Sequence, residues 1–207
     1  MSIIDLVGKL ITFEGLDFSG KSTLVERLES ALLRAGLDVL ATREPGGTPV
    51  GERVRSLLLT LEHDEMLPLS ELLLFMVSRA QNTHEVILPA LRHGKTVLTS
   101  RFRLSSMAYQ GYGRGMDLEL IRRLNDAATE GREADVTIFI DVPIEVVLTR
   151  RRGGGDRIER EDDQFYHRVR DGYLTLIKGD PRVHVVDGTQ PIDRVFAEIA
   201  RYLDLTF

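Results

Sequence analysis

Gly15-Leu16-Asp17-Phe18-Ser19-Gly20-Lys21-Ser22 fits, without a mismatch, a pattern of two glycines separated by four residues and closed by a lysine and a hydroxyl side chain. It follows an apolar run at residues 10–13 that predicts a strand. It opens a pattern that predicts a helix over Lys21–Arg34. Strand, loop and helix in that order form the context in which this pattern cradles phosphate. The glycines let backbone N–H groups turn inward, and the helix N-terminus adds partial positive charge. Lys21 is then expected to reach the β- and γ-phosphates, and Ser22 to place its hydroxyl on Mg²⁺. Residues Gly15, Leu16, Asp17, Phe18, Ser19, Gly20, Lys21, Ser22 and Thr23 are therefore the candidate ATP-binding loop. The alternative, a glycine turn with a chance lysine, leaves the strand–loop–helix context unexplained.

Outward from this loop, the chain repeats one theme. Short, mostly β-branched apolar runs lie at residues 10–13, 39–41, 96–98, 136–140 and 183–186. They rarely alternate with polar residues, as expected of strands buried on both faces. Between them, helical patterns cover residues 21–34, 49–59, 69–92, 118–130, 144–151, 163–177 and 192–203. Such alternation predicts an α/β fold with a parallel sheet of about five strands and helices on both faces. Residues 1–207 read as one domain, with a short lid insert at about 150–160. Ligands of these sheets bind beyond the carboxyl ends of the strands, so the residues just after each strand carry the functional information.

Composition narrows the class. Hydrophobic residues make up 43% of the chain, enough for a core, and the net charge of −5 exerts no global pull toward nucleic acid. No apolar run approaches the roughly 18 residues of a membrane helix. Residues 1–9 lack the basic, apolar and small-residue succession of a secretion signal. With no cysteine, disulfides and thiolate metal sites are excluded, and a cytoplasmic location is expected.

The later strand ends suggest an acceptor site. After the second run comes Thr42-Arg43-Glu44-Pro45-Gly46-Gly47-Thr48, where an arginine beside a Gly-Gly turn suits a phosphate. Phe75 and Arg79 lie four apart on the predicted helix 69–92 and share a face, a pairing that suits a nucleobase. Periodicity alone favours the plainer reading of a core phenylalanine beside a solvated arginine. After the third run, Arg101 stands one residue past Ser100, where it can bridge two phosphate groups. The turn Asp187-Gly188-Thr189-Gln190-Pro191 suits an adenine pocket and ordinary turn chemistry equally.

Taken together, Glu14-Gly15-Leu16-Asp17, Gly20-Lys21-Ser22-Thr23, Thr42-Arg43-Glu44-Pro45-Gly46-Gly47-Thr48, Leu73-Leu74-Phe75, Ser78-Arg79-Ala80-Gln81, Ser105-Ser106-Met107-Ala108-Tyr109-Gln110-Gly111 and Asp156-Arg157-Ile158-Glu159 resemble bacterial thymidylate kinases in order and spacing. The resemblance spans residues 9–203. It implies phosphoryl transfer from ATP to dTMP on a P-loop kinase fold, with Mg²⁺ as cofactor and a homodimer as the assembly. It places Asp17 near the sugar 3′-hydroxyl and the transferring phosphate. Arg43 and Arg101 would hold the acceptor phosphate. Phe75 would stack on thymine, Arg79 would contact its carbonyl edge, and Ser106 and Gln110 would lie near the base. Tyr109 would crowd the 2′ position against ribonucleotides, and Glu44 and Ser105 complete the acceptor set.

The family carries its transition-state arginine either in the phosphate loop or in the lid. Phe18 stands at the loop position, so the basic segment Arg150-Arg151-Arg152-Gly153-Gly154-Gly155-Asp156-Arg157 is expected to supply it, through Arg152 or Arg157. A merely solvated basic loop is the alternative. Two departures stand out. Ser100-Arg101-Phe102 replaces the family's usual Asp-Arg-Tyr, and Asn82 replaces its histidine. Asp17 and Glu44, with Glu159, are then expected to maintain Mg²⁺ positioning, which leaves Ser22 and Glu44 as the metal candidates. The competing functional readings are a kinase for dUMP or a modified deoxypyrimidine monophosphate, and a weakly active nucleotide-binding regulator.

Overall fold

The computed structural model describes residues 3–151 and 155–205. The chain runs β1 (Leu10–Glu14), α1 (Lys21–Arg34), β2 (Val39–Arg43), α2 (Pro49–Leu59), α3 (Pro68–Asn82) and α4 (Leu88–Arg92). It continues with β3 (Thr96–Ser100), α5 (Arg103–Ser106), α6 (Leu118–Thr129), β4 (Val136–Asp141), α7 (Ile144–Arg150), α8 (Asp163–Leu176), β5 (Val183–Asp187) and α9 (Ile192–Tyr202). The strands form a five-stranded sheet in the order β2-β3-β1-β4-β5, parallel throughout. The expected α/β architecture is therefore present. In the central strand, Ile11 sits opposite Leu98 and Val136, and Phe13 opposite Ser100 and Ile138. Every residue of β1 is buried, which accounts for its unalternating sequence.

Local chemistry sets the helix starts. Thr48 accepts a hydrogen bond from the Gly51 N–H and Pro49 follows it, so α2 begins with a satisfied donor and a preset φ. Asp162 caps α8 in the same way through the Phe165 N–H at 2.6 Å.

Three features differ from the sequence reading. The strands run one or two residues further than their apolar runs, to Glu14, Arg43, Ser100, Asp141 and Asp187. Their polar ends face the ligand side of the sheet, where hydrophobicity no longer marks them. The helix expected over 69–92 is interrupted by a π-helical stretch at Thr83–Ile87. Pro89 has no N–H for an α-helical bond to residue 85 and would clash with its carbonyl, so the helix widens just before it. Finally, α5 flows into a second π-helical stretch, Met107–Gly113, which carries Tyr109 and Gln110.

Candidate active site

The phosphate loop lies between β1 and α1. Gly15 has φ +140, and a Cβ on it would stand 2.6 Å from the Ile140 carbonyl oxygen, so this close crossing of β4 requires glycine. Gly20, at φ 95, starts α1. Lys21 is buried and donates to the carbonyls of Gly15 (3.2 Å) and Leu16 (2.5 Å) and to Ser19 Oγ (3.3 Å). Burial, then the nearby Arg101, depress its pKa to about 7. Ser22 and Thr23 are exposed on the first turn of α1. They border a cleft shared with Asp17, Lys21, Arg43 and Arg101.

Arg101 joins this loop to the acceptor side. Its φ is +71, a left-handed conformation unusual for arginine, and its N–H is held by the Phe13 carbonyl at 2.9 Å. The guanidinium donates to Gly15 O (3.1 Å), Ser105 Oγ (3.1 Å), Tyr109 Oη (3.0 Å) and the Asp17 carboxylate. It also lies 4.8 Å over the Tyr109 ring. Tyr109 in turn donates to Asp17 Oδ2 at 2.8 Å. Burial pushes the Asp17 carboxyl up, but Arg101, Lys21 and the bonds from Tyr109 and Arg101 outweigh it and hold its pKa below the ordinary value. Asp17 is therefore ionised at neutral pH. The Tyr109 hydroxyl, raised chiefly by burial, keeps its proton.

Beyond Arg101 opens a cleft bordered by Glu44, Phe75, Arg79, Ser106 and Gln110. The structure brings the expected acceptor residues other than Arg43 to one place, but Arg79 is not solvated. It is 1% exposed and donates to Glu44 Oε2 (2.7 Å), Ser106 Oγ (2.8 Å), Asn125 Oδ1 (2.6 Å) and Phe102 O (2.8 Å). Phe75 is half-buried and borders the cleft. Glu44, a metal candidate, has one oxygen on Arg79 and the other 3.5 Å from Asn82 Nδ2. Burial dominates the upward shift of its pKa. Arg43 is exposed and turned to Glu52, both of whose carboxylate oxygens lie 3.0 Å from its Nη2.

Two lid residues were expected to act on the transferring phosphate. Arg152 lies outside the described residues. Arg157 is buried, and its guanidinium goes to Glu71 Oε2 (2.6 Å) and Leu58 O (3.0 Å), while its neighbours Asp156, Ile158 and Glu159 border the acceptor cleft.

Sequence reasoning missed several contributors. Arg55 borders both clefts and donates to Pro45 O at 3.0 Å. Its signal was a helical face: Gly51, Arg55 and Leu58 recur at i, i+4 and i+7, and the two flanking positions are buried. Glu14, fully buried, receives Phe102 N–H (2.8 Å), Ser105 Oγ (2.6 Å) and Tyr173 Oη (2.9 Å), and so fixes the turn that carries Arg101. Arg150 donates to Phe18 O (3.4 Å) and Gly188 O (2.8 Å), tying the start of the lid to the phosphate loop and to the turn after β5. Glu14 stood in the Glu14–Asp17 motif, but nothing local marked its role, because its partners are distant in the chain.

A parallel sheet with a phosphate-loop sequence after the first strand of the chain, and a second cleft one arginine away, defines a P-loop phosphotransferase. Comparison narrows it further. The thymidylate kinase family model matches residues 13–199. A thymidylate kinase of Kosmotoga olearia is 46% identical over 194 residues, covering 92% of this chain and 93% of the relative. One of Pelotomaculum thermopropionicum is 47% identical over 201 residues, covering 96% and 91%. The crystal structure of thymidylate kinase from Ehrlichia chaffeensis superposes with a TM-score of 0.80 at 36% identity, covering 96% of this chain and 99% of that one. The chain belongs to the thymidylate kinase family.

Proposed function

We propose that the chain transfers the γ-phosphoryl group of ATP to dTMP, giving ADP and dTDP. The bond from the γ-phosphorus to its bridging oxygen breaks as one forms to an oxygen of the acceptor 5′-phosphate. The observation that carries this reading is Arg101, whose one guanidinium touches the phosphate loop at Gly15 and the acceptor side at Ser105 and Tyr109. A fixed cation between donor and acceptor neutralises charge where the new bond forms and needs little reorganisation to do so. Asp17, ionised and held by two donors, is placed to orient the acceptor sugar.

Mg²⁺ fits the donor chemistry at the loop. Ser22 offers a hydroxyl oxygen beside Lys21, and a hard ion of this kind is held by one or two protein oxygens together with phosphates. When bound, it would neutralise charge on the β- and γ-phosphates. Glu44, committed to Arg79, acts on the acceptor side, and Ser22 is the protein ligand at the loop. Lys21 leaves its loop carbonyls for the triphosphate.

The assembly we propose is a homodimer through α2 and α3. Leu69, Leu73 and Val77 recur every four residues on α3 and are 45–50% exposed, with Leu57 of the adjoining α2 also exposed. A contiguous apolar stripe of this kind marks an association surface. Leu73→Glu should convert a dimer into a monomer in sedimentation, and a wild-type monomer would refute the assembly. Among the described residues no helix is long and apolar enough to cross a membrane.

The decisive experiment is ADP formation with Mg²⁺-ATP across dTMP, dUMP, dCMP, dGMP, UMP and no acceptor. Turnover strongest with dTMP is expected. Turnover confined to another monophosphate would move the acceptor assignment, and ATP binding without any turnover would sink the reading.

A further inference from the structure

Glu71 lies on α3 and is 1% exposed, yet it gathers four charge-assisted or amide bonds. Gln110 Nε2 donates to its Oε1 at 2.9 Å, and Arg114 donates to both its oxygens at 3.2 and 3.0 Å. Arg157 Nη2 donates to its Oε2 at 2.6 Å. Arg114 also reaches Glu161 at 2.5 Å. A buried carboxylate this well supplied with donors is ionised. Burial raises its pKa, but Arg114, Gln110 and Arg157 together bring it below the ordinary value.

Two consequences follow from elementary hydrogen-bond chemistry. An ionised carboxylate only accepts, so the amide of Gln110 must turn its NH₂ toward Glu71, which leaves Oε1 as the acceptor end of a side chain that borders the cleft. An acceptor fixed there suits a ring N–H and repels a ring nitrogen lone pair. Thymine carries N–H at N3, whereas cytosine carries a lone pair. Separately, Arg157 holds the segment whose Asp156, Ile158 and Glu159 border the same cleft.

We propose that Glu71 is a positioning residue for acceptor-base selection, setting the amide orientation of Gln110 while anchoring, through Arg157, the return segment of the lid. This deepens the proposed dTMP kinase reading and rests on it. Removing an orienting charge makes the amide indifferent to which face it presents, so a site that hydrogen-bonds one base edge loses its power to reject the other.

The test is kcat/KM for dTMP and dCMP, with thermal unfolding, in wild type, Glu71→Gln and Glu71→Asp. Glu71→Gln can either donate to or accept from Gln110. The dTMP-to-dCMP ratio should fall at least tenfold, with the KM for ATP within twofold of wild type. Glu71→Asp keeps the charge that Arg114 and Arg157 need but withdraws it from Gln110. It should fold where Glu71→Gln fails, and should show the same loss of discrimination. General weakening of the fold would instead change both KM values and leave the ratio intact. A ratio within twofold of wild type in the folded variants overturns the role of Glu71 alone. Wild type that does not phosphorylate dTMP overturns the functional reading and this inference with it.

Discussion

Tyr109→Phe is the sharpest perturbation of the proposed mechanism, because it deletes one oxygen and leaves the ring. That ring packs edge-on against Phe165 at 6.1 Å and Tyr173 at 6.3 Å, and it supports the Arg101 guanidinium at 4.8 Å. All three contacts survive in phenylalanine. What disappears is the bridge in which the hydroxyl donates to Asp17 Oδ2 at 2.8 Å and accepts from Arg101 at 3.0 Å. A hydrogen bond to a charged group contributes about 1.5–3 kcal/mol. If the placement of Asp17 counts fully in the transition state, kcat should fall roughly 10- to 150-fold. The preference for dTMP over UMP should persist, since the ring proposed to crowd the 2′ position remains. The pH profile supplies a second readout. The Tyr109 bond is one of the causes holding the Asp17 pKa down, so its loss moves the acidic limb of kcat to higher pH. A depressed carboxylate contributes stability above its unfolded pKa that is lost as pH falls through the folded one, so acid resistance should shrink in the same direction. Stopped-flow ADP formation from acid to neutral pH would measure both effects. A kcat within twofold of wild type, with the acidic limb unmoved, would refute the view that this hydroxyl positions Asp17.

Three further outcomes are expected. Arg157→Met should lower Tm by roughly 3–12 °C, because it removes one charge-assisted bond, worth about 1.5–3 kcal/mol, from a buried Glu71 that Arg114 and Gln110 still hold, whereas Arg152→Ala should leave Tm unchanged and lower kcat; calorimetry and kinetics that show the reverse would return the lid role to Arg157. ATP binding at pH 8 should take up a proton, because phosphates restore the charge on a Lys21 whose pKa is about 7 in the ligand-free loop, and calorimetry in buffers of different ionisation enthalpy would detect its absence. The same shift makes the ligand-free protein gain stability as pH rises from about 7 toward the ordinary lysine value, since the unfolded chain binds the extra proton there. Ser100→Asp should raise kcat and lower the Mg²⁺ concentration needed, since it adds a carboxylate at the end of β3 beside Lys21 and Arg101, and an unchanged Mg²⁺ titration would mean that the native acidic groups already compensate.

How much of this was legible in the sequence depended on the range of the interaction. The phosphate loop is local: its glycines, lysine and flanking strand lie within 15 residues (10–24), so the sheet and its ligand edge could be read from Leu10 onward. Phe75 and Arg79 were legible as a face but not as an environment. Periodicity treats an arginine as solvated unless something pairs it, and the partners of Arg79 (Glu44, Phe102, Ser106 and Asn125) come from separate elements. Arg157 was misleading for the same reason. A basic segment rich in glycine reads as one mobile unit, yet Arg157 lies beyond the glycines and meets a buried carboxylate 86 positions earlier.

The two π-helical stretches show where pattern-reading stops altogether. Met107–Gly113 changes the angular step between residues, so that Tyr109 meets Asp17 while Gln110, the next residue, meets Glu71. On a regular helix, adjacent residues point about 100° apart, and a 3.6-residue template allots them to different surroundings. Here both border the acceptor cleft, one held at Asp17 and the other at Glu71. Gly113 makes that arrangement fit against α8, because a Cβ there would stand 2.6 Å from the Phe165 ring and 2.8 Å from Val169. The expected consequence is that Gly113→Ala, although remote from any phosphate, displaces the stretch that carries Tyr109 and Gln110. It should raise the KM for the acceptor well before it changes that for ATP. Equal changes in both would place the strain of the substitution in the sheet rather than in the acceptor site.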